Sequence, residues 1–379
     1  MDKEIKDRFD QIFAKQNGSF YDLNRMNGMA REKAIYQEVL TNCEDYIKEL
    51  LAQYENPPKV YIAFIDNPLL GAAVGKEGDD YFIGLYNGSI MILHGLFGRM
   101  LCSPRVLPLL GDVSKETEQK INNPYIISAE VLIDTIYNYP EQKRFPKDED
   151  RRNGVILLAH LAMQFLALHE LGHIVRGHLD YKLNNGQSTS HEDTTIHMVK
   201  IGGQSGLHSQ GMEFDADYYA THNSMAFHSR SFQGIELPLD NQMGIIGLWV
   251  FAVCSLFRVF GLIPNDAVQL NNYSHSPMGM RMYMLLSNYA NRLQEESEIF
   301  FGRRLNKEEI SKYIQNCLLD VETGFREIGD DEGTLQTGFN SFIFAAQHLA
   351  HSDKVMEAFD DIWHEIEVFM LKPVNSQKP

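Results

Sequence analysis

His169-Glu170-Leu171-Gly172-His173 places two imidazoles four residues apart with a carboxylate beside the first. On a helix, at about 100° per residue, positions i and i+4 share one face, so both rings can bind a single divalent metal ion. Glu170 lies next to that face, placed to take a proton from a water on the metal. The bland alternative is a pair of histidines satisfied by ordinary hydrogen bonds in a core. Against it stands the setting: Val155 to Val175 is nearly all apolar, and two histidines and a glutamate are costly to bury there without partners. The stretch is too rich in Leu, Ala, Met and His for a strand and predicts a buried helix.

Two histidines need a third protein ligand. A metzincin would place Gly three and His six residues after the second histidine, whereas Gly177 and His178 fall at four and five. A glutamate from a later helix is the gluzincin solution, and Glu213-Phe214-Asp215-Ala216-Asp217 supplies it, 40 residues on. Glu213 and Asp217 share a helix face, so one can bind the metal while the other accepts the remaining ring N–H of a ligand histidine. Asp180 and Glu192 are rival third ligands in loop positions. An ordinary acidic helix face is the alternative for the whole motif.

HELGHIVRGH, then EFDADYYA, then Tyr273-Ser274-His275-Ser276-Pro277 with Arg281 resembles the gluzincin zinc metallopeptidases of the CAAX prenyl protease and HtpX type, over roughly residues 60–285. The resemblance implies a zincin-like catalytic domain in an α+β, mostly helical chain, with a small sheet whose edge strand faces the zinc helix. It implies one Zn²⁺ per chain on His169, His173 and Glu213, with Glu170 as general base. Asp217 would stand behind the ligands, His275 near the oxyanion or substrate, and Arg281 as a partner of the site carboxylates. Asp66-Asn67-Pro68 to Gly71-Ala72-Ala73 and then Phe82 to Leu93 look like the substrate-edge region. The chain departs from the pattern in three ways: Gly71-Ala72-Ala73 stands where the family often has Asn-Ala-Phe, Ser276 splits the His-Pro dipeptide, and no multi-span membrane region is present. Around the zinc helix the chain is also similar to Lit-type phage-exclusion peptidases.

The positioning elements read as follows. Residues 1–56 carry helical periodicity up to Pro57-Pro58. Val60 to Ile65 and Tyr81 to Tyr86 are β-rich, the second with an edge free to pair with an extended peptide, and Asn87-Gly88 signals a turn before the apolar run Ser89 to Leu96. Residues 182–211, rich in Asn and Gly, predict a loop that could serve as a lid, with helix resuming near Met212. His191, His197 and His208 then read as solvated loop histidines, His160 as a core histidine, and Tyr218-Tyr219 as helix packing. Met243 to Ile263 is the candidate membrane span, but its three glycines and Arg258 favour a buried core helix. Asp330-Asp331-Glu332 reads as a solvated turn. Residues 281–372 are again helical. The divisions are 1–58, an N-terminal helical region; 59–285, the metallopeptidase domain; and 286–379, a C-terminal helical region.

Thirty-four Lys and Arg against 51 Asp and Glu give −17 over 379 residues, which argues against non-specific nucleic-acid binding and leaves room only for a local basic patch. The 44% hydrophobic content leaves ample material for a core. No apolar leader is visible near Met1, and four dispersed cysteines suit a reducing compartment, so the expected location is the cytoplasm. The expected function is a zinc endopeptidase that hydrolyses a protein substrate through a metal-bound water activated by Glu170, latent until triggered by stress or phage attack. Two alternatives stand beside it: a zinc-stabilised regulatory or binding module without turnover, and a membrane-anchored protease using residues 243–263.

Overall fold

The computed structural model of the chain describes residues 1–15, 17–26, 28–116, 145–186, 190–194, 203–231, 239–260, 270–271, 273–301, 303–328 and 349–374. The architecture is α+β and mostly helical, with a small mixed sheet in the order β1-β3-β2-β4. These strands are β1 Val60–Ile65, β2 Gly71–Glu77, β3 Asp80–Tyr86 and β4 Ser190–Thr194. β3 runs parallel to β1 and antiparallel to β2, and β4 pairs antiparallel to β2.

The sheet is apolar on both faces because helices cover both. Alternate residues of a strand point to opposite sides. Ile62, Phe64, Val74, Ile83 and Leu85 join the main core, whereas Ala63, Ile65, Ala73 and Phe82 pack with Phe9 and Phe13. The last two belong to α1, Lys3–Phe13, whose first turn is capped by the Asp2 carboxylate accepting the Ile5 N–H. α2, Ala30–Leu51, packs on β1 and sends Tyr36, Val39, Tyr46, Ile47 and Leu50 into the main core.

Two local expectations give way here. Phe82 to Tyr86 has no free edge, because β3 pairs with β1 on one side and with β2 on the other. The strand that fills the second side, Gly71-Ala-Ala-Val-Gly-Lys-Glu, has small residues where strand-forming side chains would announce it. Asn87-Gly88 does not turn the chain but opens α3, Asn87–Met100. The Asn87 side-chain oxygen Oδ1 accepts the Asn67 N–H, and the Gly88 N–H donates to the Asn67 backbone carbonyl, which ties the helix start to the β1–β2 loop.

The HExxH segment lies on α4, Glu149–Val175, started by Asp148, whose carboxylate accepts the Arg151 N–H. Arg151 is fully buried and donates to the carbonyls of Leu101, Ser103, Val106, Leu107 and Leu110, binding the loop after α3 to this helix. The following elements are α5 His178–Asn184, α6 Gly203–Ser231, α7 Leu239–Phe260, α8 Met278–Phe301, α9 Lys307–Glu327 and α10 Leu349–Ile366. α4 is the hub: it packs against α2, α3, α6, α7, β2 and β3. Such surroundings explain why it lacks the polar stripe of a surface helix.

Among the described residues α4 is also the one helix long and apolar enough to cross a membrane, yet 78% of that stretch is buried inside the protein. The candidate span at 243–263, expected to be a core helix, is represented by α7, with residues 261–263 outside the described residues. Its Trp249, Val250, Phe251, Ala252 and Val253 are fully buried, and Trp249 stacks on Tyr289 at 4.5 Å. Arg258 is ion-paired with Glu322 and lies 4.1 Å from the Phe325 ring centre, so its charge is met by protein.

The predicted loop at 182–211 holds more structure than its composition suggests. α5 runs to Asn184, β4 covers 190–194, and α6 begins at Gly203, nine residues before Met212. The glycines here mark close contacts: a Cβ on Gly206 would stand 2.2 Å from the Asn271 carbonyl oxygen, and one on Gly211 would stand 2.5 Å from Phe359 Cβ. Residues 187–189 and 195–202, including His197, lie outside the described residues, as do Asp330-Asp331-Glu332.

Candidate metal centre

His169 and His173 project from α4 toward α6, which brings Glu213. The close approach depends on Gly172, between the two histidines: a Cβ there would lie 3.1 Å from Ala216 Cα and 3.3 Å from its carbonyl oxygen. With hydrogen in that place the helices cross closely enough for a glutamate side chain to span the gap. His169 Nε2 stands 3.2 Å from Glu213 Oε2, His173 Nε2 stands 3.6 Å from Glu213 Oε1, and the two Nε2 atoms are 3.1 Å apart. Donor atoms of the three residues all lie within 4.8 Å of one another. All three side chains are buried, at 0–1% exposure.

This donor set suits a borderline divalent cation. Two imidazole nitrogens and one carboxylate oxygen, converging from two helices, are the ligand complement of a three-protein-ligand zinc site. A buried His169-His173-Glu213 group can therefore bind a metal ion.

The groups behind the ligands orient them. His169 Nδ1 lies 2.9 Å from Asp217 Oδ1, and Arg281 holds both Asp217 oxygens at 2.8 Å through Nε and Nη2. Hydrogen bonding of Nδ1–H to Asp217 leaves Nε2, on the Glu213 side, with the lone pair a metal needs. Burial opposes charge on Asp217, but the Arg281 guanidinium and His169 outweigh it and hold its carboxyl below the usual range. Burial likewise opposes charge on His169, and hydrogen bonds to Asp217 and Glu213 more than reverse this, so the ring's affinity for a proton stands well above the ordinary value. Protons and a metal ion compete for the same place.

His275 stands with Nε2 3.5 Å from Glu213 Oε2, and Arg281 Nη2 is at the same distance from that oxygen. His275 comes from the stretch before α8, held by Gln210 of α6. The Gln210 amide donates to the Leu270 and Tyr273 carbonyls at 2.7 and 2.9 Å, while its oxygen accepts from Ser276 Oγ at 2.8 Å and from His351 Nε2 at 2.9 Å. Glu170 is fully buried on α4. Lys182 of α5 is buried as well, and burial pushes its ammonium down to about 8 against the opposing pull of the Glu213 and Glu170 carboxylates.

Of the seven expected residues, His169, Glu170, His173, Glu213, Asp217 and Arg281 are buried on the helices that meet here, and His275 joins them from the stretch before α8. The rival ligand Asp180 does not. Asp180 is bound by Lys76 and Tyr81 on the sheet. Glu192 pairs with Ala73 through β4, and its side chain is outside the described residues, as is that of His191. His160 is half-buried on α4, where burial lowers its affinity for a proton. His208 is a helix residue on α6, beside Gln204 at 3.2 Å, and not a loop histidine. Tyr219 packs in the main core, whereas Tyr218 is 47% exposed.

Sequence reasoning assigned no part to Lys182, Gln210, Ser274, Arg176 or Asp215. Asp215 carried a signal, since it stands two residues from both Glu213 and Asp217 and must face another direction. It binds Arg176, Nε at 2.7 Å and Nη2 at 2.8 Å, and burial of its carboxyl is outweighed by His178 and Arg176. The chain matches no family model, no curated protein and no solved structure.

Proposed function

We propose that the chain is a zinc-dependent endopeptidase, a gluzincin built on a zincin-like domain. The observation that carries this reading is the convergence of Glu213 from α6 on the two α4 histidines, with Asp217 and Arg281 already behind the first of them. His169, His173 and Glu213 would hold the zinc ion. When bound, it supplies Lewis acidity and lowers the pKa of coordinated water.

The remaining work falls to the chain's own residues. Glu170 takes the proton of the attacking water and returns it to the leaving amine. Ser274 Oγ lies 2.7 Å from His275 Nδ1; a hydroxyl donated there leaves the proton on Nε2. That N–H, beside Glu213, would stabilise the oxyanion. The substrate is an extended segment of a protein, and the net charge of −17 argues against non-specific binding of nucleic acid. Because β3 is internal, a peptide adding to the sheet would pair with one of the terminal strands, β1 or β4, instead.

We extend the reading to a cytoplasmic enzyme that stays latent until stress or phage attack; the three ligands themselves are completely buried. The same burial favours a second reading, a structural metal site in a regulatory module without turnover. Against that reading, the chain supplies three ligands and keeps a carboxylate in the position of a general base. A denatured protein substrate with and without a zinc chelator separates the readings. Cleavage should stop on chelation and return with stoichiometric Zn²⁺ but not Mg²⁺; cleavage that persists after full metal removal would overturn the proposal.

A further inference from the structure

The two ligand histidines are supported differently, and the difference points to a residue outside the metal set. His169 rests on a carboxylate directly, whereas His173 rests on another imidazole. Its Nδ1 lies 3.1 Å from His178 Nδ1, His178 Nε2 lies 3.1 Å from Asp215 Oδ2, and Arg176 clamps Asp215 from the far side. Chain geometry makes this possible: Gly177, in the left-handed region at φ 75°, ends α4 and starts α5, folding the next residue back against the preceding turn. His178 is fully buried there, with Phe359 edge-on at 6.1 Å.

The hydrogen-bond directions in this chain are determined by its end. Asp215 is a carboxylate and can only accept, so His178 carries its proton on Nε2 and presents a bare Nδ1. That nitrogen must then accept from His173, which places the His173 proton on Nδ1 and the lone pair on Nε2, toward Glu213. We infer that His178 is a positioning residue for metal binding, a neutral imidazole relay through which Asp215 and Arg176 select the tautomer and ring orientation of His173. This rests on the metal reading above. An imidazole in this place sets the ring without adding a second anion beside the ligands.

The test is zinc affinity, measured by chelator competition on the full chain, together with the visible spectrum of the Co²⁺-substituted protein and thermal unfolding to establish folding. His178→Phe keeps bulk but removes the acceptor, and should weaken zinc binding about 10- to 100-fold with an altered cobalt spectrum. His178→Asn puts an acceptor oxygen near the position of Nδ1 and should stay within about threefold of the wild type with the wild-type spectrum. If His178→Phe does not fold, a folded Asp215→Leu, which removes the acceptor altogether, decides: weaker zinc binding supports the relay, and unchanged binding overturns it. Unchanged affinity in folded His178→Phe, or equal losses in the Phe and Asn variants, would overturn the relay while leaving the metal reading intact. A wild-type chain that binds no zinc would overturn both.

Discussion

Glu170→Gln should retain zinc and fold while peptide cleavage falls by a factor of about 10²–10⁴, the usual contribution of a positioned general base. The side chain is fully buried on α4 and follows His169 directly, so an amide of the same shape disturbs packing little and leaves His169, His173 and Glu213 in place. What it removes is the ability to accept a proton at the attacking water. The measurement pairs turnover on a denatured protein substrate, under conditions in which the wild type cleaves, with metal content of the same samples. A variant that cleaves at the wild-type rate would contradict the role assigned to Glu170.

Arg281→Met should be the most destabilising single change at the site. Both partners are buried, Arg281 at 1% and Asp217 at 2% exposure, and the guanidinium holds both carboxylate oxygens at 2.8 Å. Removing one member of such a pair leaves an uncompensated buried charge, at about 3–5 kcal/mol. The methionine fills comparable volume beside Phe257, whose ring centre lies 5.2 Å from the guanidinium carbon, so the loss is electrostatic and not a cavity effect. Urea denaturation of metal-free protein isolates this term from metal binding. Adding Asp217→Leu to Arg281→Met should recover part of the loss, because an apolar pair no longer strands a charge. A denaturation midpoint equal to the wild type's in the single variant would contradict the account.

How much of this was legible in the residues follows from the range of each interaction. His169, Glu170 and His173 are related by helix geometry alone, and the same rule put Glu213 and Asp217 on one face of α6. β1 and β3 were readable from their branched and aromatic residues. The internal position of β3 was not, since it depends on pairing with β2, whose Gly71-Ala72-Ala73 start has little strand propensity and was marked only by the resemblance, as an edge that β4 in fact covers. The His173–His178–Asp215 chain was hidden for a similar reason: it needs the reversal at Gly177 and the close crossing of α4 and α6 at Gly172. Gln210 and Lys182 become part of the site only once distant segments pack together. Glycines in 203–211 read as loop formers, although at 206 and 211 they admit a neighbouring element against a helix.

Zinc stoichiometry of the wild type beside Glu213→Ala decides whether His169, His173 and Glu213 form one zinc site. Glu213 supplies the carboxylate that faces both imidazoles, at 3.2 and 3.6 Å. One zinc per wild-type chain, lost from a folded Glu213→Ala, is the expected result. No zinc in the wild type, or an equal zinc content in the variant, would contradict it.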